Sequence, residues 1–208
     1  MPVERDLVAR RRRSLPHWEH PGGTYFVTFR LDDSLPSEIS ETYYREQREL
    51  KAHWQMAGDA VRVELEREMA RLYCRRIDRC LDVGLGHCYL AQPSVAKIVS
   101  DAIQHFDRDR YDLFAWCLLP NHVHVVFRPL GENGLAGILH SWKGFTSRSA
   151  NARLRRRGAF WQREYFDHLV RSQNDLERFV RYVWKNPEKA GHPNSPWRWV
   201  CDELKPSL

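Results

Sequence analysis

Apolar and polar positions along this chain change period several times, and each change predicts an element. In GGTYFVTFRL, residues 22–31, Tyr25, Val27, Phe29 and Leu31 alternate with Thr24, Phe26, Thr28 and Arg30, the period of two expected of a strand. Residues 33–80 then take helical spacing in SEISETYYREQREL and AVRVELEREMARLYCRRIDRC, parted by MAGD around Gly58, which predicts a helical insertion. Arg67, Arg71, Arg75 and Arg79 recur every four residues and form one positive stripe on its second helix, a solvated face by default. DVGLGH breaks that pattern. Behind Pro93, the residues Val95, Ile98, Val99, Ala102 and Phe106 fall on one buried stripe of a further helix.

YDLFAWCLLPNHVHVVFRPL supplies two apolar strands, 111–118 and 122–129, broken at Pro120 and Asn121, and a hairpin is the economical reading. Residues 134–155 predict another helix, running into Arg153, Arg155, Arg156 and Arg157 before Gly158. AFWQREYFDHLVR reads as extended. A last helix starts near Ser172, with Asp175 three residues on as a variant capping box, and is expected to end about Asn186 because Pro187 follows.

Strand, helix, hairpin, helix, extended segment and helix point to an α+β class, an antiparallel sheet covered by helices. The 208 residues suit a single domain at 22–192 that contains the insertion at about 33–80. A basic N-terminal arm, 1–21, carries Arg10 to Arg13, and a C-terminal tail spans 193–208.

Charge adds a partner class to this outline. Lys and Arg number 33 against 27 Asp and Glu, a net of +6, which suits a polyanion. Eight Trp, eight Tyr and nine Phe provide faces on which bases stack, although core packing accounts for most of them. Five cysteines, without CxxC spacing and behind an N-terminus that has no apolar stretch, predict a reduced, cytoplasmic protein. Cys74, Cys80, His87 and Cys88 match no structural zinc spacing. No apolar run is long enough to span a bilayer, so no membrane partner is expected.

The unusual chemistry lies in LPNHVHVVF. On a strand, residues i and i+2 share a face, so His122 and His124 stand side by side while Val123 and Val125 turn away. Two neighbouring imidazoles are half a metal site, or two half-exposed histidines satisfied by water. In NDLERFVRYVWKNPEKAG, Leu176, Phe179, Val180 and Val183 form the core stripe, and Tyr182 and Asn186 sit together on its flank, one turn apart. Taken alone, these two read as a hydroxyl in water and a helix cap before proline.

Together, LPNHVHVVF, FWQREYFDHLVR and RYVWKNPEKAG, in this order, resemble the blocks of the HUH single-tyrosine transposases, and in particular their REP-associated branch. The likeness covers the first strand and roughly residues 90–192. It implies a ferredoxin-like core in which His122, His124 and Asn186 hold a divalent cation, Mg²⁺ or Mn²⁺, and Tyr182 is the nucleophile. The substrate it implies is single-stranded DNA with imperfect palindromic hairpins, handled by a monomer or homodimer. Lys143, Arg148, Arg153, Arg155, Arg156 and Arg157 then become candidates for gripping the DNA backbone, with Trp142 and Trp161 as stacking faces. The insertion at 33–80 lies outside the compact pattern of that family.

Two other functions fit the same residues. A hairpin-binding protein derived from a transposase would bind DNA or RNA without a covalent adduct. A metal-dependent hydrolase would use water as nucleophile and need a carboxylate beside the histidines, for which Asp167, next to His168, is the candidate.

Overall fold

The computed structural model describes residues 8–9, 18–20 and 22–205. The arginine run 10–13 lies outside them. A two-stranded ladder near the start pairs β1 (Val8–Ala9) with β2 (Trp18–Glu19). The main sheet holds β3 (Thr24–Arg30), β4 (Tyr111–Leu118), β5 (His122–Pro129), β6 (Phe166–Val170) and β7 (Arg198–Val200) in the order β6-β3-β5-β4-β7. Every neighbouring pair is antiparallel. The α+β class and the antiparallel sheet expected from the sequence are therefore what the chain adopts.

The helices are α1 (Ser37–Met56), α2 (Asp59–Tyr73), α3 (Arg79–Asp82), α4 (Pro93–Gln104), α5 (Leu135–Arg153) and α6 (Gln173–Lys189), with a π-helical turn at Cys74–Asp78 joining α2 to α3. Helices α4 and α5 cover one face of the sheet. There Val99, Ile103, Ile138 and Trp142 pack on Val27, Phe29, Val123, Val125 and Phe127. Helix α6 covers the other face, where Val180 and Val183 meet Phe26, Ala115, Cys117 and Val126. Each large aliphatic buried this way contributes about 1.5–3 kcal/mol of transfer free energy. The period of two in β3 and β5 thus feeds two cores at once.

Strand β4 departs from simple alternation. Its register on β5 slips between Leu113 and Ala115, so Leu113 and Trp116 both enter the α4–α5 core while Ala115 and Cys117 face α6. A bulge of this kind reverses which side chains point where.

The insertion has a core of its own. Leu35, Tyr43, Leu72, Tyr73, Ile77 and Leu81 form it, and Phe166 from β6 packs against it, with the Tyr73 and Phe166 rings stacked 4.0 Å apart. Arg71, from the predicted positive stripe, pairs with Glu64 and Glu68 at 3.3 Å in solvent, an exposed arrangement that contributes little to stability.

Two boundaries differ from expectation. Helix α6 does not stop at Asn186 but continues through Pro187 to Lys189. Proline removes one N–H donor, yet Ala190 N–H still reaches the Asn186 carbonyl at 2.9 Å, and burial of Asn186 and Pro187 outweighs the local preference to end. The tail is the second. Within 193–208, β7 pairs Val200, Trp199 and Arg198 with Ala115, Trp116 and Cys117, so it completes the sheet by covering what would be an apolar edge strand.

Ending the chain after residue 194 should therefore lower the thermal midpoint and produce oligomers on gel filtration, because the backbone of Ala115–Cys117 would lose its partner. An unchanged midpoint in a monodisperse truncated protein would show that β7 is dispensable.

Candidate active site between the sheet and the last helix

The site begins with the register of two strands. His124 lies opposite Thr28 and His122 opposite Arg30 on β3, on the sheet face that carries α6. Both imidazoles are fully buried, and their Nε2 atoms lie 3.1 Å apart. Asn121 Nδ2 donates to the Leu85 carbonyl at 3.0 Å, which leaves its Oδ1 to accept from His122 Nδ1 at 2.7 Å. His122 therefore turns a bare Nε2 toward His124. His124 Nδ1 is held by Thr28 Oγ1 at 2.7 Å.

The loop that offers the Leu85 carbonyl depends on glycine. Gly86 has φ +85°, and a Cβ there would meet the Asp33 carbonyl oxygen at 2.5 Å. Burial keeps both imidazoles neutral: it holds His122 well below the ordinary histidine range and lowers His124 to about 3, with the Lys189 charge adding to the effect. Neutral imidazole is the form that binds metals.

Helix α6 brings the next two groups. Its start is set by Ser172, whose hydroxyl accepts from Asp175 N–H at 3.1 Å. Along the helix, Tyr182 places its ring 5.3 Å from the His124 ring and edge-on to Phe26 at 5.7 Å. One turn later, Asn186 is buried and neither atom of its amide has a hydrogen-bond partner among the described residues. Tyr182 and Asn186 open onto a groove along α6, together with Arg178, Arg181, Lys185 and Lys189.

The insertion supplies a group that sequence reasoning missed. Asp78, the last residue of the π-helical turn, accepts a hydrogen bond from the Tyr182 hydroxyl through Oδ2. Its Oδ1 is 3.7 Å from His124 Nε2 and has no hydrogen-bond partner among the described residues. One turn on, Asp82 pairs with Lys189 at 2.9 Å, so two carboxylates of the insertion dock on α6. Burial raises the Asp78 carboxyl, against the lowering effect of Tyr182 and Lys189. Burial and the charge of Asp78 push the Tyr182 phenol far above its ordinary range. No sequence signal marked Asp78, an acid among Arg75, Arg76 and Arg79. Asn121 and Thr28 were legible only as the neighbour of a histidine and as a polar residue on an inward strand face.

These donors fit a cation. One ligand atom each from Asp78, His122 and His124 lies within 4.8 Å of the others. Two imidazole nitrogens in close contact, an orphaned carboxylate oxygen and an orphaned amide are buried polar groups that cost about 1–3 kcal/mol each when unsatisfied. A divalent ion among Asp78, His122 and His124 would satisfy the imidazole nitrogens and the carboxylate oxygen together. Cys80, His87 and Cys88 form no such group among the described residues: Cys88 Sγ points at the Gly84 carbonyl, 3.0 Å away, and His87 pairs with Asp33. Asp167 and His168 are likewise outside it, on β6 opposite Val27 and Phe26.

The predicted DNA-contacting residues fare differently from one another. Trp142 and Trp161 are core residues, 3% and 6% exposed, with Nε1 donating to Tyr111 Oη and Thr146 Oγ1; as stacking faces for bases they are ruled out by burial. Lys143 spends its ammonium on the carbonyls of Gln162 and Arg163 at 2.7 Å, and burial lowers it to about 8. Arg156 bonds Asn151 and the Ala159 carbonyl and lies over the Tyr89 ring. Arg148, Arg153, Arg155 and Arg157 are exposed, but they belong to α5 and its C-terminal turn, across the sheet from the histidines.

Residues 90–186 match the family described as "Transposase IS200 like". The chain is 27% identical over 97 residues to a REP-associated tyrosine transposase of Escherichia coli K12, covering 46% of this chain and 56% of that protein. It is 28% identical over 92 residues to a provisionally named REP-associated tyrosine transposase of Haemophilus influenzae, covering 39% of this chain and 52% of that protein. The chain thus spans about half the length of these curated relatives. A solved structure of a REP-associated tyrosine transposase bound to a REP hairpin aligns with a TM-score of 0.51 at 18% identity, over 92% of this chain and 82% of that one; the likeness is one of fold.

The buried histidines set a dependence on pH. A histidine whose folded value lies below its unfolded value of ~6.5 contributes stability that is complete above that value. This is lost as pH falls toward the folded value, about 3 for His124. In chelator, urea unfolding should show stability falling from pH 6.5 downward with a slope of up to ~1.4 kcal/mol per pH unit for each such group. His124→Gln should flatten that slope; parallel profiles for the two proteins would show that His124 does not titrate on unfolding.

Proposed function

We propose, on the premise that residues 90–186 of this chain carry an IS200-like transposase domain, that the protein cuts and rejoins single-stranded DNA beside imperfect palindromic hairpins. Tyr182 is the nucleophile in this reading. The observation that carries it is the position of the Tyr182 ring, 5.3 Å from that of His124 and on the same chain, so that no partner subunit has to supply the tyrosine.

A phenol with a pKa of about 10 is a weak nucleophile at neutral pH, and here burial weakens it further in the free protein. Presenting a phosphate to the ring, with the hydroxyl still bonded to Asp78, is what the substrate must do. His122, His124 and Asn186 would hold Mg²⁺ or Mn²⁺, which when bound polarises the scissile phosphate and neutralises charge. Tyr182 Oη then bonds to phosphorus as its proton leaves through the contact with Asp78. The bond from phosphorus to the 3′ oxygen breaks and that oxygen takes up the proton the phenol released, leaving a 5′-phosphotyrosine and a free 3′-OH. One phosphoester replaces another, so a 3′-OH can reverse the step on a new strand without ATP.

The strand has a track to follow. Arg181 and Lys185 are exposed on α6 beside Tyr182 and Asn186, where they can neutralise phosphates flanking the cut. Arg148, Arg153, Arg155 and Arg157, exposed on the opposite side of the sheet, would take a hairpin stem instead. A hydrolytic reading draws support from Asp78, since two histidines and a carboxylate are a set that activates water. The bond from Tyr182 to that carboxylate favours the phenol, and the end group decides: a free 5′ phosphate for hydrolysis, a protein-linked end for transesterification.

Tyr182→Phe should keep hairpin binding and lose both nicking and the adduct, read by gel shift and by mass spectrometry of labelled hairpins incubated with Mn²⁺. Nicking that survives the change would remove Tyr182 from the mechanism. His122→Ala, His124→Ala and excess EDTA should each abolish cleavage, and full activity in chelator would refute the cation.

The double variant Arg181→Ala/Lys185→Ala should flatten the salt dependence of strand binding by about 1.4 in the log–log slope, at ~0.7 for each single-strand phosphate contact. An unaltered slope would place the strand elsewhere.

A further inference from the structure

We propose that Asp78 is itself a ligand of the divalent cation, so that the insertion completes the metal site and cation binding clamps residues 74–82 onto α6. This rests on the reading of His122 and His124 as cation ligands and extends it to a part of the chain outside the matched region, 90–186.

Three observations point the same way. Asp78 is 4% exposed, and its two oxygens are divided: Oδ2 takes the Tyr182 hydroxyl, while Oδ1 has no hydrogen-bond partner among the described residues and lies 3.7 Å from His124 Nε2. The nearest lysine of α6, Lys189, is engaged by Asp82 at 2.9 Å. Finally, Asp78 closes the single π-helical turn of the helix run, Cys74–Asp78, and such turns re-aim side chains and recur at functional sites.

The chemistry is complementary. His122, His124 and Asn186 are neutral donors, and Asp78 would bring the one formal negative charge to the set. A mixture of imidazole nitrogen and carboxylate oxygen suits Mn²⁺ better than Mg²⁺, which prefers oxygen throughout. Because Asp78 and Asp82 are also the docking contacts of the insertion, a bound ion would hold that element over the nucleophile.

The experiment titrates Mn²⁺ into the metal-free full chain by calorimetry, with wild type, Asp78→Asn, Asp78→Ala and His124→Ala. Hydrogen exchange over residues 74–82 is followed with and without the ion. Asp78→Asn and Asp78→Ala are expected to weaken Mn²⁺ binding at least tenfold, and Mn²⁺ to slow exchange over 74–82 in wild type. Wild-type affinity in both Asp78 variants overturns the proposal, and leaves the histidine reading standing if His124→Ala has lost the ion. Unimpeded binding by His124→Ala overturns both. The exchange measurement on wild type needs no variant, so a misfolded substitution does not protect the idea: Mn²⁺ that binds without slowing exchange over 74–82 also overturns it.

Discussion

Two imidazole nitrogens 3.1 Å apart on fully buried side chains form the constraint around which this molecule is organised. Neutral histidines cannot both offer lone pairs at that distance without something positive between them, a proton or a cation. Everything adjacent holds them in that position. Asn121 fixes one ring through its own anchor on the Leu85 carbonyl, and Thr28 fixes the other from the neighbouring strand. The cost of this arrangement is met by the two cores on either side of the sheet.

The sheet also separates two jobs. On one face, α4 and α5 cover Val123, Val125 and Phe127 and form the larger apolar core. On the other, α6 and the insertion enclose His122, His124, Tyr182 and Asp78, a polar pocket bordered by the smaller cluster of Phe26, Val180 and Val183. Alternation along β5 alone would deliver this partition. The bulge in β4 is needed to maintain it, because without it Trp116 and Cys117 would exchange faces.

The insertion is tied to the rest of the chain mainly by polar contacts and one aromatic stack. Asp78 to Tyr182, Asp82 to Lys189 and Tyr73 on Phe166 are the links that matter at the site. Its own core is compact and nearly self-contained. The strands of the sheet are paired independently of it.

Local pattern was enough for the elements, the hairpin bounds at 111–118 and 122–129, and the shared face of His122 and His124, because period and strand geometry are properties of neighbouring residues. Likeness of motif pointed to Tyr182 and Asn186. Asp78 was beyond reach: 44 positions separate it from His122 in the sequence, and only the docking of a helical insertion brings its carboxylate to that ring. The same holds for β7, which pairs with β4 from the far end of the chain, and for α6, which runs through Pro187 because burial overrides a local preference. Trp142 and Trp161 were legible as aromatic but not as buried. Sequence by itself determined which residues alternate and which carry chemistry; the tertiary structure decided which of them meet, since contact across elements depends on packing that no local pattern contains.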